Sequence, residues 1–193
     1  MMQLALPGMP EPEPLFVGLD QSYTGFGLIV LGPDTGIVKA ITGAWPAKKH
    51  GSGVMRLLEI YHWLWKELSP YRDRIEHVVM EGYAYESRFG REQAGELGAT
   101  VKLALAEALP DPIRYPTIVP PPQLKQFATG RGNASKDDMI TAAAQHGFVT
   151  KNHNLADAYL CARLAHLAVV GTTNPAQERV LRKLTLLTER QAA

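Results

Sequence analysis

The chain is poor in cysteine, in net charge and in long apolar runs. Its 193 residues include one cysteine, Cys161, which excludes a disulfide framework and any cysteine-based zinc finger and fits a reducing compartment. No apolar stretch approaches the ~18 residues that a membrane helix needs. The richest, Leu155 to Val170, is interrupted by Asp157, Arg163 and His166. The N-terminus carries Pro7, Pro10, Pro12 and Pro14 with Glu11 and Glu13 and has no cationic start, so it does not read as a secretory signal. The expectation is a soluble, cytoplasmic protein with no membrane partner. Twenty Lys and Arg stand against 19 Asp and Glu, for a net charge of +1. No bulk positive field therefore draws in phosphate, and nucleic-acid binding would have to come from local patches.

What is present is the composition of a globular domain: 46% of residues are hydrophobic. A single domain of this size buries roughly 70% of its unfolded surface without a staple. Residues 1–14 read as a flexible lead-in, 15–171 as the main domain and 172–193 as a C-terminal helix or tail. Phe16-Val17-Gly18-Leu19 reads as a buried strand ending at Asp20, with further strands at Leu28–Leu31 and Ile37–Trp45 joined by turns, an antiparallel meander. A helix is expected over Ser52–Leu68 from its apolar spacing. A strand follows at His77–Met80, ending at Glu81. Glu92–Leu109 reads as a helix whose Ala94, Gly95, Gly98 and Ala99 could pack closely on a sheet. Tyr115–Val119 is a fifth strand, and short helices follow at Gln123–Ala128 and Ser135–Gln145. Ser135 and Asp138 have capping-box spacing. The last helices are Leu155–Val170 and about Pro175–Arg190. This order gives an α/β domain with a mixed sheet flanked by helices. Trp45, Trp63 and Trp65 read as core.

Three carboxylates sit where their neighbours are built for burial. Asp20 and Glu81 each end an apolar strand, and Asp157 lies in what reads as the first turn of an apolar helix. An unpaired buried carboxylate costs several kcal/mol or is neutralised by a proton. Three of them converging would repel one another unless a cation lay between them. Oxygen-only ligands select Mg²⁺ or Mn²⁺, and two such ions about 4 Å apart can activate water and stabilise a leaving oxygen in phosphodiester hydrolysis. Taken singly, each acid has an ordinary alternative: a turn residue or cap for Asp20 and Glu81, a helix-dipole partner for Asp157.

Phe16-Val17-Gly18-Leu19-Asp20-Gln21-Ser22-Tyr23-Thr24-Gly25-Phe26-Gly27 resembles the opening motif of the RuvC-like Holliday junction resolvases of the RNase H-like superfamily. Val78-Val79-Met80-Glu81 resembles their second motif. Pro122 to Gly130, with Lys125, resembles their Pro-x-x-x-Lys segment running into Thr-Gly, and Gly132 to Lys136 their Gly-x-small-x-Lys. Asn154-Leu155-Ala156-Asp157-Ala158 resembles the final metal motif. The likeness spans about residues 16–168.

The resemblance implies an RNase H-like mixed five-stranded sheet and a metal-dependent, structure-selective endonuclease. Such an enzyme resolves Holliday junctions and related branched DNA and leaves 5′ phosphates. It makes Asp20, Glu81 and Asp157 ligands of two Mg²⁺ or Mn²⁺ ions, with Asn154 in the place usually held by Asp or His. A neutral amide is a weaker ligand and no base, and Asn154 could instead hold a water or cap the helix, with His153 the neighbouring alternative. Lys136 and Lys125 match basic residues near the scissile phosphate, and Arg131 is a further DNA-binding candidate. Tyr83 or Tyr85 could stack on an unpaired base, although Ala84 occupies the expected position of the ring. The helix after Glu81 implies a homodimer. Asn154, the short chain and the shifted aromatic fit a divergent, phage-type member. The alternatives left by the sequence are a non-catalytic junction-binding module, a nuclease acting on RNA–DNA hybrids or flaps, and an RNase H-like ATPase.

Overall fold

The computed structural model describes residues 12–83, 90–111, 113 and 115–192, with side chains to residue 184. Five strands, β1 (Leu15–Asp20), β2 (Phe26–Leu31), β3 (Ile37–Gly43), β4 (Ile75–Glu81) and β5 (Thr117–Val119), form one sheet in the order β3-β2-β1-β4-β5. The β1–β2 and β2–β3 pairs are antiparallel, as the meander reading required, and β1–β4 and β4–β5 are parallel. The expected mixed five-stranded α/β sheet flanked by helices is therefore present.

Strand side chains alternate between the two faces, and each face is covered by its own layer. One layer holds a four-residue helix α1 (Ala47–His50), α2 (Val54–Leu68), a 3-10 turn at Ser69–Tyr71 and α3 (Arg91–Ala108). Leu15, Val17, Leu19, Leu28, Val78 and Met80 pack there against Ile60, Leu64, Val101 and Leu105. The other layer holds α4 (Pro121–Thr129), α5 (Lys136–Gln145), α6 (His153–Val170) and α7 (Pro175–Ala192). Phe16, Ile29, Val79 and Val119 pack there against Leu124, Phe127, Met139 and the alanines of α6. Val180 and Leu184 of α7 belong to the same core, so this helix lies on the domain, against α4 and β5.

Several local expectations are corrected. The helix expected from Leu155 starts at His153, because the Asn152 side chain accepts from the backbone N–H groups of Asn154 (2.9 Å) and Leu155 (3.2 Å). Asn152, not Asn154, is the cap, and Asp157 consequently stands beyond the first turn. In α3 the buried face is Leu97, Gly98, Val101, Ala104, Leu105 and Ala108. Of the small quartet only Gly98 is buried, and Ala99 is exposed. Trp45 is buried and Trp63 packs against it, but Trp65 is 42% exposed on the outer side of α2. No helix among the described residues is long and apolar enough to cross a membrane.

Candidate metal centre

The two strand acids share a face by period and a position by register. On β1, Phe16, Gly18 and Asp20 alternate with Val17 and Leu19, and Phe16 and Gly18 meet α6. On β4, Val79 and Glu81 alternate with Val78 and Met80, and Val79 lies in the α6 core. The parallel register pairs Leu19 with Met80, so Asp20 and Glu81 come next along adjacent strands, about 4.8 Å apart as backbones.

The third acid is delivered by the closeness of α6. A Cβ at Gly18 would lie 1.9 Å from the Ala158 carbonyl oxygen and 2.2 Å from the Ala162 nitrogen. A Cβ at Gly27 would lie 2.2 Å from the Asn154 carbonyl oxygen. Helix backbone thus rests directly on strand backbone, which only glycine permits. Asp157 then reaches the ends of β1 and β4, and one carboxylate oxygen from each of Asp20, Glu81 and Asp157 lies within 4.8 Å of the others.

Crowding shows in their protonation. Burial, then Asp157, pushes Asp20 up to about 7. Burial, then Asp20 and Asp157, pushes Glu81 up to about 9. Burial pushes Asp157 up to about 6, opposed by His153, Lys125 and Lys136. The hydrogen bond between Asp20 and Glu81 lowers the first and raises the second. The Asp157 Oδ1 is buried and has no hydrogen-bond partner among the described residues. Clustered oxygen donors that repel one another and an orphaned carboxylate oxygen are the features a hard divalent cation satisfies. The donor set therefore fits a hard divalent cation.

The other sequence candidates divide. Lys136 is the first residue of α5, whose start is fixed by the full capping box: Ser135 N–H donates to Asp138 Oδ2 (2.8 Å) and Asp138 N–H to Ser135 Oγ (3.1 Å). Its charge acts on Asp20 and Asp157, and that of Lys125 on Glu81 and Asp157. Arg131 is exposed and pairs with Asp138 at 3.4 Å, which ties its loop to the start of α5. The Asn154 amide lies over Gly25, where a Cβ would come 2.2 Å from its Nδ2. His153 is half-buried, and its Nδ1 has no partner among the described residues. Tyr83 packs its ring on Gly98, whose Cβ would meet it at 2.6 Å. Tyr85 lies outside the described residues.

Two residues at the site were not anticipated. Gln21 donates from Nε2 to the Glu81 backbone oxygen at 3.2 Å and ties the ends of β1 and β4 together. Cys161, wholly buried on α6, has its thiol pushed up first by burial and then by all three acids. Its spacing of four from Asp157 was the available signal. Gly18 inside an apolar strand likewise announces a close backbone approach.

No family model matches the chain, and no curated protein matches it. Two solved structures have the same fold. Thermus thermophilus RuvC is 23% identical with a TM-score of 0.60. T. thermophilus RuvC in complex with Holliday junction substrate is 22% identical with a TM-score of 0.65. Each match covers 82% of this chain and 97% of the other. The fold is thus the RNase H-like fold of RuvC.

Proposed function

We propose that this protein is a Mg²⁺- or Mn²⁺-dependent endonuclease that resolves four-way DNA junctions and related branched DNA. The observation that carries this reading is the meeting of Asp20, Glu81 and Asp157 from β1, β4 and α6 within 4.8 Å. The RuvC fold supports it, since one matching structure is of RuvC with Holliday junction substrate.

In this reading Asp20, Glu81 and Asp157 hold the ions, with Asn154 and His153 beside them on the first turn of α6. Bound divalent ions supply acidified water and offset charge developing on the phosphate. Lys125 and Lys136 hold the phosphodiester over the acids and neutralise its charge. Water attacks phosphorus, the bond to the 3′ oxygen breaks, and the product keeps a 5′ phosphate. Gln21 and the Gly18–α6 contact keep the acids in place. A homodimer completes the proposal, because a twofold pair presents two such sites to two symmetric strands. Met55, Leu58 and Trp65 on α2, all exposed, supply apolar surface for it. The lone, buried Cys161 suits a reducing cytoplasm.

The test is Asp20→Asn on a synthetic four-way junction with Mg²⁺. Cleavage should fall at least about a thousandfold while junction binding persists. Nicking at the unmodified rate would sink the assignment. Tight junction binding by the unmodified chain without turnover in either ion would make it a binding module. Preferred cleavage of RNA–DNA hybrids or flaps at the same salt would move it to another nuclease class.

A further inference from the structure

The basic residues anticipated from the sequence all lie in the α4–α5 layer. A second basic group stands at the same edge of the sheet, in the opposite layer. Asp20 pairs with Gly27, Gly27 with Thr42 and Phe26 with Gly43. The end of β3 therefore lies about 10 Å from Asp20, two strand spacings away. The segment that follows is pinned there. Trp45 N–H donates to the Tyr23 carbonyl at 2.7 Å, and Arg56 Nε to the Trp45 carbonyl at 2.5 Å. The Arg56 guanidinium also lies 4.0 Å from the centre of the Tyr23 ring. From this anchored segment α1 projects Lys48 and Lys49, both exposed.

Three observations give that patch a ligand. The chain has no acidic residue between Asp34 and Glu59, so the positive charge is local although the protein is nearly neutral. Of the nearest acids, Glu59 is held by His50 at the end of α1, and Glu67 pairs with Lys39. Neither Lys48 nor Lys49 has a carboxylate partner among the described residues. The segment that carries the patch also leaves β3 two strand spacings, about 10 Å, from Asp20, about three base-pair steps of duplex at ~3.4 Å per step.

We propose that Lys48 and Lys49 form a second phosphate-contacting surface, one that grips the backbone of a duplex DNA arm leading away from the cleavage point. This deepens the proposed function and rests on it for the identity of the ligand as DNA. The two basic groups then straddle the acids: Lys125 and Lys136 act at the reacting phosphate, and Lys48 and Lys49 act one arm away. Contacts of this kind position the duplex and carry no sequence information.

The test separates this surface from the nuclease reading by measuring binding rather than cutting. Asp20→Asn protein, with and without Lys48→Ala/Lys49→Ala, is titrated without divalent ions onto a four-way junction with long arms across a salt series. The double substitution should make the plot of log affinity against log salt shallower by about 2 units, so that its deficit shrinks about tenfold between 50 and 200 mM salt. Lys48→Arg/Lys49→Arg should restore the slope. Shortening the arms should shrink the difference. An unaltered slope on long arms, or the same loss on trimmed arms, overturns the proposal and leaves the active site standing. Failure of the unmodified protein to bind the junction at all overturns both.

Discussion

On one face of the sheet β1 presents Leu15, Val17 and Leu19 to α2 and α3, all fully buried. On the other it presents Phe16, Gly18 and Asp20 to α6. The first face is filled by large side chains, including the edge-to-face set Phe26, Trp45 and Trp63. The second is closed by backbone against backbone at Gly18 and Gly27, with Ala156, Ala158, Ala162 and Ala165 wholly buried above it. A large apolar side chain removes more area from water than a glycine or alanine and stabilises more. The small-residue face gives up that area for position: only a helix seated this low brings Asp157 to the ends of β1 and β4.

Gly18→Ala would drive a Cβ into the backbone of α6. We expect a loss above about 4 kcal/mol in urea denaturation, or no folded protein. Unchanged stability would show that the close approach is not required. Next in size is the pH response of the metal-free protein. The folded pKa values of Asp20, Glu81 and Asp157 lie above their unfolded values, so the folded state binds more protons. Stability is then greatest below about pH 4 for these groups and falls as pH rises towards 9. Thermal denaturation should show the melting temperature dropping from pH 5 to 9, and Mn²⁺ restoring it at pH 8 but not at pH 5. A flat profile would remove the crowding argument.

Substitution on the large-residue face should sharpen the contrast. Leu64→Ala, at a wholly buried position in α2, should cost about 2–5 kcal/mol while the folded fraction still binds Mn²⁺ in calorimetry. A lost Mn²⁺ site would mean that both faces share the task. The smallest effect belongs to Ser135→Ala. It removes one half of the capping box at α5 and should cost ~1 kcal/mol. Because Lys136 starts that helix, junction cleavage should weaken several-fold more than denaturation alone explains.

The strand acids were legible because a charge that ends an apolar run conflicts with its neighbours, and the sheet because turns punctuate it so clearly. The capping box of Ser135 and Asp138 was legible for a related reason, since a cap is a local, side-chain-to-backbone device. Less visible was anything that depends on what lies opposite in space. The start of α6 turned on which of Asn152 and Asn154 caps it, and both are good caps. The α1 helix has no apolar face to announce it, since Ala-Lys-Lys-His is held by Trp45 and Pro46 rather than by its own pattern. Tyr83 reads as a candidate for base stacking until Gly98, fifteen positions on, proves to be the surface on which its ring rests. Trp65 follows the apolar spacing of α2 and yet faces outward.

The order of elements along the chain also fixes when the three acids can meet. Asp20 and Glu81 lie side by side once β4 has joined β1, but the third carboxylate arrives only with α6, after the chain has passed residue 153. A growing polypeptide that has folded its meander and its first helical layer holds two acids and no complete ion cage. The three-carboxylate cluster is therefore complete only when this late helix docks.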